Sequence, residues 1–430
     1  MGTLALAAAI VNITIGGGIF RLPANVAGSL GAAAPLAYLV CAVAMGLIVL
    51  CMADAGSRVS LTGGPYAYVA VAFGSYIGFI CGLLLWMVGV FATAAVSTVF
   101  ASSVVLLMGG AGGRVIEIAI VIGALAFWSL VNIRGVSLGT RLNSIATVAK
   151  LLPLVLLVVV GAFFIDGNNL QPQQWPGAAD VARTSLLLIF AFAGIEAALV
   201  PSGEVRDTAR TVPRAIALAM AAIVTLYIAL QMVSQGILGD ALAKSTVAPL
   251  ADAAAASMGP WARTVLLAGA AVSMFGYLGG MTLSMPRMLY AFARDGFLPS
   301  ALASLHPVSK APALAIVVQS LVTVALAISG TFEKLAILAN VSALALYLGC
   351  ALAAWQLRRK GVSTRGATPF NVPLATVVPW LACAVIIWLL SGVSGSEWLA
   401  FVACVAAGSA LYLATRSKRA ASASTQVLHQ

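Results

Sequence analysis

Three consecutive glycines, Gly16, Gly17 and Gly18, sit in the apolar run Asn12-Ile-Thr-Ile-Gly-Gly-Gly-Ile19-Phe-Arg21-Leu-Pro23. Each lowers helix propensity by about 1 kcal/mol, whereas glycines that only let helices pack closely recur every four residues. The run therefore predicts an interrupted helix, with Ile15 and Gly16 at the break and a second half beginning near Gly18 and Ile19. Such a start aims backbone N–H groups and a positive dipole end at an anion, for instance a carboxylate. A second stretch, Phe190-Ala191-Phe192-Ala-Gly194-Ile-Glu196 followed by Pro201, joins a glycine, a carboxylate and a proline within one apolar run. Carbonyls released at Phe190, Ala191 and Phe192 would accept hydrogen bonds from an ammonium group. Together the two breaks would make a receptor for an α-amino acid.

These groups need elements to hold them, and composition dictates which. The 430 residues are 62% hydrophobic and 8% charged, with mean hydropathy +1.07. A soluble domain carries about 25% charged residues, so this chain cannot cover itself with a solvated surface. Helical spans need about 20 apolar residues each, and with short loops the length accommodates about twelve. The apolar runs are continuous and not alternating, which excludes a β-barrel. The first run has no positive leader segment and reads as a retained first span. The Val59–Gly113 run has room for a turn-rich stretch at Thr62–Pro65, a short connecting helix and one span.

Most of the 23 basic residues fall in alternate loops, those holding Arg58, Arg134, Arg206, Arg287, Arg358 and Arg416. The positive-inside rule then places both termini in the cytoplasm. The net charge of +11 is thus spread over short loops and does not form the clustered basic face of a nucleic-acid binder. Six cysteines lie inside apolar runs as packing residues, with no disulfide framework or zinc spacing. His306 and His429 fall in a loop and the tail, which leaves no metal site and no cofactor to expect. The two breaks sit at the start of two five-span units. An odd-numbered unit must insert its second copy upside down, which is the inverted-repeat plan of secondary transporters.

Five motifs in order, GGGIFRLPAN (16–25), LTGGPYAYVAVAFG (61–74), ATVAKLLPL (146–154), FAFAGIEAALVPSGEVRDTARTVPRAI (190–216) and RMLYAFARDGFLP (287–299), make the chain resemble the amino acid–polyamine–organocation (APC) transporter superfamily, bacterial amino acid permease type. The resemblance implies an all-α polytopic membrane protein with a leucine-transporter-like 5+5 inverted repeat and about 12 transmembrane helices. It implies one transport domain over 1–430, with repeats at 1–165 and 181–360, two additional helices at 373–415 and a cytoplasmic tail at 416–430.

By the same resemblance, Ile15, Gly16, Gly17, Gly18, Ile19, Phe190, Ala191, Phe192, Gly194 and Met281 would line the substrate site. Lys150 lies roughly 13 Å further into the bilayer than Arg141, where sodium-driven relatives hold a cation, and this argues against sodium dependence. Lys150 and Glu196, the latter in a Gly-Ile-Glu sequence like the Gly-Val-Glu of arginine/agmatine exchangers, would be coupling or proton-carrying groups. Phe190 and Arg21 would gate the outer side. Phe190 and Met281 stand where arginine exchangers have tryptophans, which points to a neutral amino acid. The expectation is a permease working by alternating access, proton-coupled or exchange-type, in the cytoplasmic membrane, with a small molecule and the lipid bilayer as partners, no nucleic acid, and no oligomeric state legible. A polyamine or cationic amino acid antiporter is the alternative. A channel or a membrane-embedded enzyme is a different class, and no clustered catalytic groups support the latter.

Overall fold

The computed structural model describes residues 3–59, 65–110, 113–134, 151–172, 174–194, 208–362, 372 and 374–415. Among these the regular structure is entirely helical. The first apolar run divides as expected into α1 (Thr3–Thr14) and α2 (Gly17–Leu30), bent by 59° across the break. Then follow α3 (Pro35–Arg58), the short α4 (Pro65–Phe73), the long α5 (Ser75–Leu107), α6 (Gly113–Arg134) and α7 (Leu151–Phe164). The second half runs through α8 (Ala178–Phe192), α9 (Thr208–Leu238), two short helices α10 (Ala241–Lys244) and α11 (Pro249–Met258), α12 (Pro260–Ser284), α13 (Pro286–Arg294), α14 (Ala313–Ser329) and α15 (Phe332–Arg359). Last come α16 (Val378–Leu390) and α17 (Gly395–Ala414).

Seven of these helices are long and apolar enough to cross a membrane, the α1–α2 pair makes an eighth, and α7, α14 and α16 are shorter apolar helices. With α8 these make twelve helical segments among the described residues, the number expected. At α6, α7, α16 and α17 large side chains such as Phe127, Val159, Ile387 and Leu399 stand exposed. An apolar surface of that extent suits lipid, not water.

Alternate helices end at one face in Arg58, Arg134 and Arg358–Arg359, here called the basic end; Arg114 and Glu333 mark the far end. The core lies where α5 is enclosed by α12, α14 and α15. Its tightness rests on small residues: a Cβ on Gly279 would stand 2.8 Å from the Trp128 ring, joining α12 to α6, and one on Gly82 would stand 3.0 Å from Phe292. Polar clamps add to this, with Trp86 Nε1 donating to Gln319 Oε1 at 2.7 Å and Ser129 Oγ within 2.8 Å of Ser320 Oγ.

The inverted repeat leaves a backbone signature. Gly74 joins α4 to α5 with φ 94° and ψ 177°, and Gly259 joins α11 to α12 with φ 93° and ψ 179°. Only glycine adopts that conformation readily. The same short-helix, glycine, long-helix joint thus occurs once at the basic end and once at the far end. The alanine-rich Asp240–Trp261 stretch holds α10 and α11, with Leu250, Ala251, Ala253 and Ala254 buried.

Candidate functional site

The helix N-terminus of α2 and the C-terminus of α8 meet in the middle of the bundle. Gly16 flanks α2 in an extended conformation and no side chain caps the helix, so its first N–H groups have no intrahelical partner. Gly18 lies against α8 so closely that a Cβ there would stand 3.1 Å from both Ala191 Cα and Phe190 Cδ1. At Gly17 a Cβ would stand 3.2 Å from Val96 of α5 and 3.4 Å from the Met274 sulfur of α12. Ile15 and Ile19 are fully buried beside them. α8 ends at Phe192, Ala193 donates back to the Ile189 carbonyl at 3.0 Å, and Gly194 turns the chain with φ 114°.

Side chains from three neighbouring helices hold these ends. Tyr227 of α9, fully buried, directs its hydroxyl at two carbonyls, Ala191 O at 2.9 Å and Thr14 O at 3.3 Å. One turn on, Gln231 donates to Pro23 O at 3.4 Å and accepts from the Tyr38 hydroxyl at 2.9 Å. Pro23 lacks an N–H and so interrupts the α2 ladder. Asn340 of α15 donates to Leu186 O at 2.7 Å and Leu187 O at 3.1 Å, and Cys41 of α3 donates to Ser185 O at 3.4 Å. The Thr14 hydroxyl, at the end of α1, is buried without a hydrogen-bond partner among the described residues. Buried hydroxyls are ordinarily paired, and this one faces the break from within the last turn before it.

Aromatic and charged groups close the far side. Phe190 packs edge-on against Phe332 with centroids 5.6 Å apart, and the Arg21 guanidinium lies 5.5 Å from the Phe332 ring. Arg21 also reaches Glu333, Nη2 to Oε1 3.8 Å. Above them a cavity of about 220 Å³ is lined by Arg21, Arg114, Glu117, Thr331 and Glu333. There Ser102 donates to Glu117 at 3.2 Å.

Of the residues expected to line the site, Ile15 to Ile19 and Phe190 to Phe192 come together, with Gly194 just beyond. Met281 is placed otherwise. It lies half-buried on α12, seven residues past Met274, about 10 Å along the axis, and it is Met274 that the structure sets against Gly17. Phe190 and Arg21 lie on the far side, both against Phe332. Lys150 and Glu196 lie outside the described residues.

Residues 1–407 match the family model for amino acid permeases. The chain belongs to this family. It is an APC superfamily transporter, a multi-pass membrane protein whose fold is the leucine-transporter-like inverted repeat. It is similar to the methylthioribose transporter of Bacillus subtilis, 27% identical over 419 residues that cover 94% of this chain and 90% of that protein. The branched-chain amino acid permease BcaP of Bacillus subtilis is 24% identical over 418 residues, 94% of this chain and 90% of its own. An arginine/agmatine antiporter of Chlamydia pneumoniae is 26% identical over 414 residues, 91% and 84%. Amino acid transport is common ground for the last two and for the family, while the three names differ in the solute.

Tyr227, Asn340, Val96 and Met274 are site residues that reading the sequence did not single out. A signal existed for one of them. Tyr227, Gln231 and Gln235 recur every four residues in the mostly apolar second half of α9, so one face of that helix is a hydrogen-bonding stripe.

Proposed function

We propose that this permease carries neutral amino acids across the cytoplasmic membrane by alternating access, in a proton-coupled or exchange mode, with both termini in the cytoplasm. The observation that carries the reading is the approach of the α2 N-terminus to the α8 C-terminus at Gly18 and Ala191. One end offers N–H donors and a positive dipole to a carboxylate, and the other offers carbonyls to an ammonium group. The backbone thus recognises what all α-amino acids share and leaves the side chain to its neighbours. Those neighbours, Val96, Met274 and Phe190, carry no charge, which favours an apolar or small substrate over arginine.

Phe190 and Phe332, with Arg21 and Glu333 above them, form the outer gate. Lys150 and Glu196 are the groups we assign to coupling, since ionisable residues within spans are costly and mark ion or proton pathways. Uptake of labelled leucine, serine, arginine and putrescine into proteoliposomes, with and without a pH gradient and internal substrate, tests this. Saturable leucine or serine uptake that arginine does not compete supports the reading. Uptake of arginine or putrescine alone would establish the cationic antiporter instead, the reading favoured by the similarity to the arginine/agmatine antiporter. Loss of pH dependence in Lys150→Ala is the expected mark of proton coupling, and an unchanged pH profile removes Lys150 from that role.

A further inference from the structure

α15 ends at the basic end in three consecutive cations, and two of them are committed within the protein. Arg358 reaches Asp54, Nη2 to Oδ1 3.2 Å, and Lys360 Nζ donates to Ala72 O at 2.9 Å. Arg359 is placed otherwise. It is exposed, its guanidinium lies over the Trp355 ring at 5.5 Å from the centroid, one turn back on the same helix face, and among the described residues it meets no carboxylate or carbonyl. The described acids at this end are already taken, Asp54 by Arg58 and Arg358 and Asp295 by Arg294 at 3.1 Å. A guanidinium resting over a ring keeps its N–H donors for an acceptor elsewhere.

Beside this cation the surface turns apolar. Trp355 meets Trp380 of α16 edge-on, with centroids 5.5 Å apart and planes at 65°. Trp380 is 51% exposed, and Val377, Leu381 and Ile387 stand exposed with it, a spacing that sets all four on one face of α16. From Trp380 to Ile387 that face runs about 10 Å along the axis. Depth follows from length. The 28 residues of α15 span about 42 Å, more than the hydrocarbon core of about 30 Å, so the arginine end emerges among the headgroups, where tryptophan rings settle. A cation with unspent donors at headgroup depth, over a tryptophan pair and an apolar stripe, is the complement of a phospholipid, with phosphate at one level and acyl chain at the next.

We infer that Arg359, Trp355 and Trp380 form a docking site for one anionic phospholipid of the phosphatidylglycerol kind, its phosphodiester on the Arg359 donors and an acyl chain along the exposed face of α16. Guanidinium and phosphate make a charge-assisted pair, and basic residues at the membrane surface attract anionic lipids in general. A choline lipid would bring a further cation beside Arg359 and Lys360, so the site favours the headgroup that has none. The lipid would sit one residue from Arg358, which ties α15 to α3 through Asp54. The inference needs a bilayer and does not depend on which solute crosses it.

The test is native mass spectrometry of the purified full-length chain titrated with dimyristoyl phosphatidylglycerol and, separately, with dimyristoyl phosphatidylcholine. The expected result is one phosphatidylglycerol held about fivefold more tightly than phosphatidylcholine. Arg359→Gln should remove that preference, Trp380→Ala should weaken phosphatidylglycerol about threefold, and Arg287→Gln, a charge lost from α13 at the same end, should change neither. Arg359 and Trp380 are both exposed, so these variants keep the fold. Equal affinity for the two lipids overturns the inference. So does an equal loss in Arg359→Gln and Arg287→Gln, which would mean diffuse attraction to the whole basic end, and so does displacement of the lipid by equimolar glycerol 3-phosphate, which would mean a site for the free phosphate. Failure of every amino acid in the uptake assay would leave this result intact, so the two proposals fail separately.

Discussion

The two ends of α15 are fastened very differently. At its first turn Glu333 meets Arg21 of α2 at 3.8 Å, with side chains 33% and 15% exposed, and Phe332 leans on Phe190. At its last turn Arg358 approaches a buried carboxylate, Asp54 of α3, which is 3% exposed. Arg358 Nη2 lies 3.2 Å from Asp54 Oδ1 and Arg58 Nε lies 2.9 Å from the same oxygen. Lys360 Nζ donates to Ala72 O of α4 at 2.9 Å, and Arg58 Nη1 to Val362 O at 3.4 Å.

A long, partly solvated pair contributes up to about 1 kcal/mol. Removing one member of a buried network instead leaves an uncompensated charge and costs about 3–5 kcal/mol. The far end is therefore closed by contacts that part cheaply, while the basic end is locked. In the proposed function this is a transporter sealed towards the cytoplasm and lightly shut on the outside, with α15 pivoting about its arginine end.

The comparison can be broken most decisively at Asp54. Asp54→Ala strands two guanidinium groups and should lower stability by about 3–5 kcal/mol in SDS-titrated unfolding of the detergent-solubilised protein. Arg358→Leu in the same chain should lose less than the sum of the two single changes, since it removes one of the stranded charges. A loss at Asp54 no larger than at Glu333 would abolish the contrast between the ends. Next in size is Gly18→Ala, whose Cβ meets the α8 backbone at Ala191 and has no flexible neighbour to displace. Substrate uptake should fall more than about tenfold, a misplacement of the order of 1 Å being sufficient for that; retention of full uptake would show that the half-helices separate more than their packing implies.

Tyr227→Phe removes the donor shared by Thr14 and Ala191 and should cost about 1–3 kcal/mol in the same unfolding assay, with affinity affected more than folding if the carbonyls serve the substrate. The smallest stability effect is expected for Glu333→Gln, below about 1 kcal/mol. It should nonetheless raise the rate at which a cysteine at Phe190 is modified by a membrane-impermeant reagent, because the contact it weakens is the one above that ring. An unchanged modification rate would mean that the aromatic pair alone holds the far end shut.

Much of this was legible in the residues. Consecutive glycines locate the first break within a residue or two of where α2 begins, because nothing else in an apolar run lowers helix propensity so sharply. The end of α8 at Phe192 follows from Gly194 in the same way. Asp54 was not legible. It ends an apolar run beside Arg58, where a carboxylate reads as the solvated edge of a loop, and only the approach of Arg358 from a distant part of the chain makes it a buried hub. Met274 was not legible for a related reason: it and Met281 differ by two helical turns and share a face of α12, and only what stands opposite, Gly17, distinguishes Met274. The paired joints at Gly74 and Gly259 left no motif to read, since their likeness lies in backbone angles and not in the surrounding letters.

The Tyr227 hydroxyl has a further consequence. It carries one proton, and two carbonyls from different half-helices are within its reach. That proton lies nearer Ala191 O, at 2.9 Å, than Thr14 O, at 3.3 Å, so one hydroxyl spans the ends of both half-helices. An arriving ammonium group brings three. A donor that serves one of the two carbonyls leaves the hydroxyl to the other, so a single proton links what happens at the end of α1 to what happens at the end of α8.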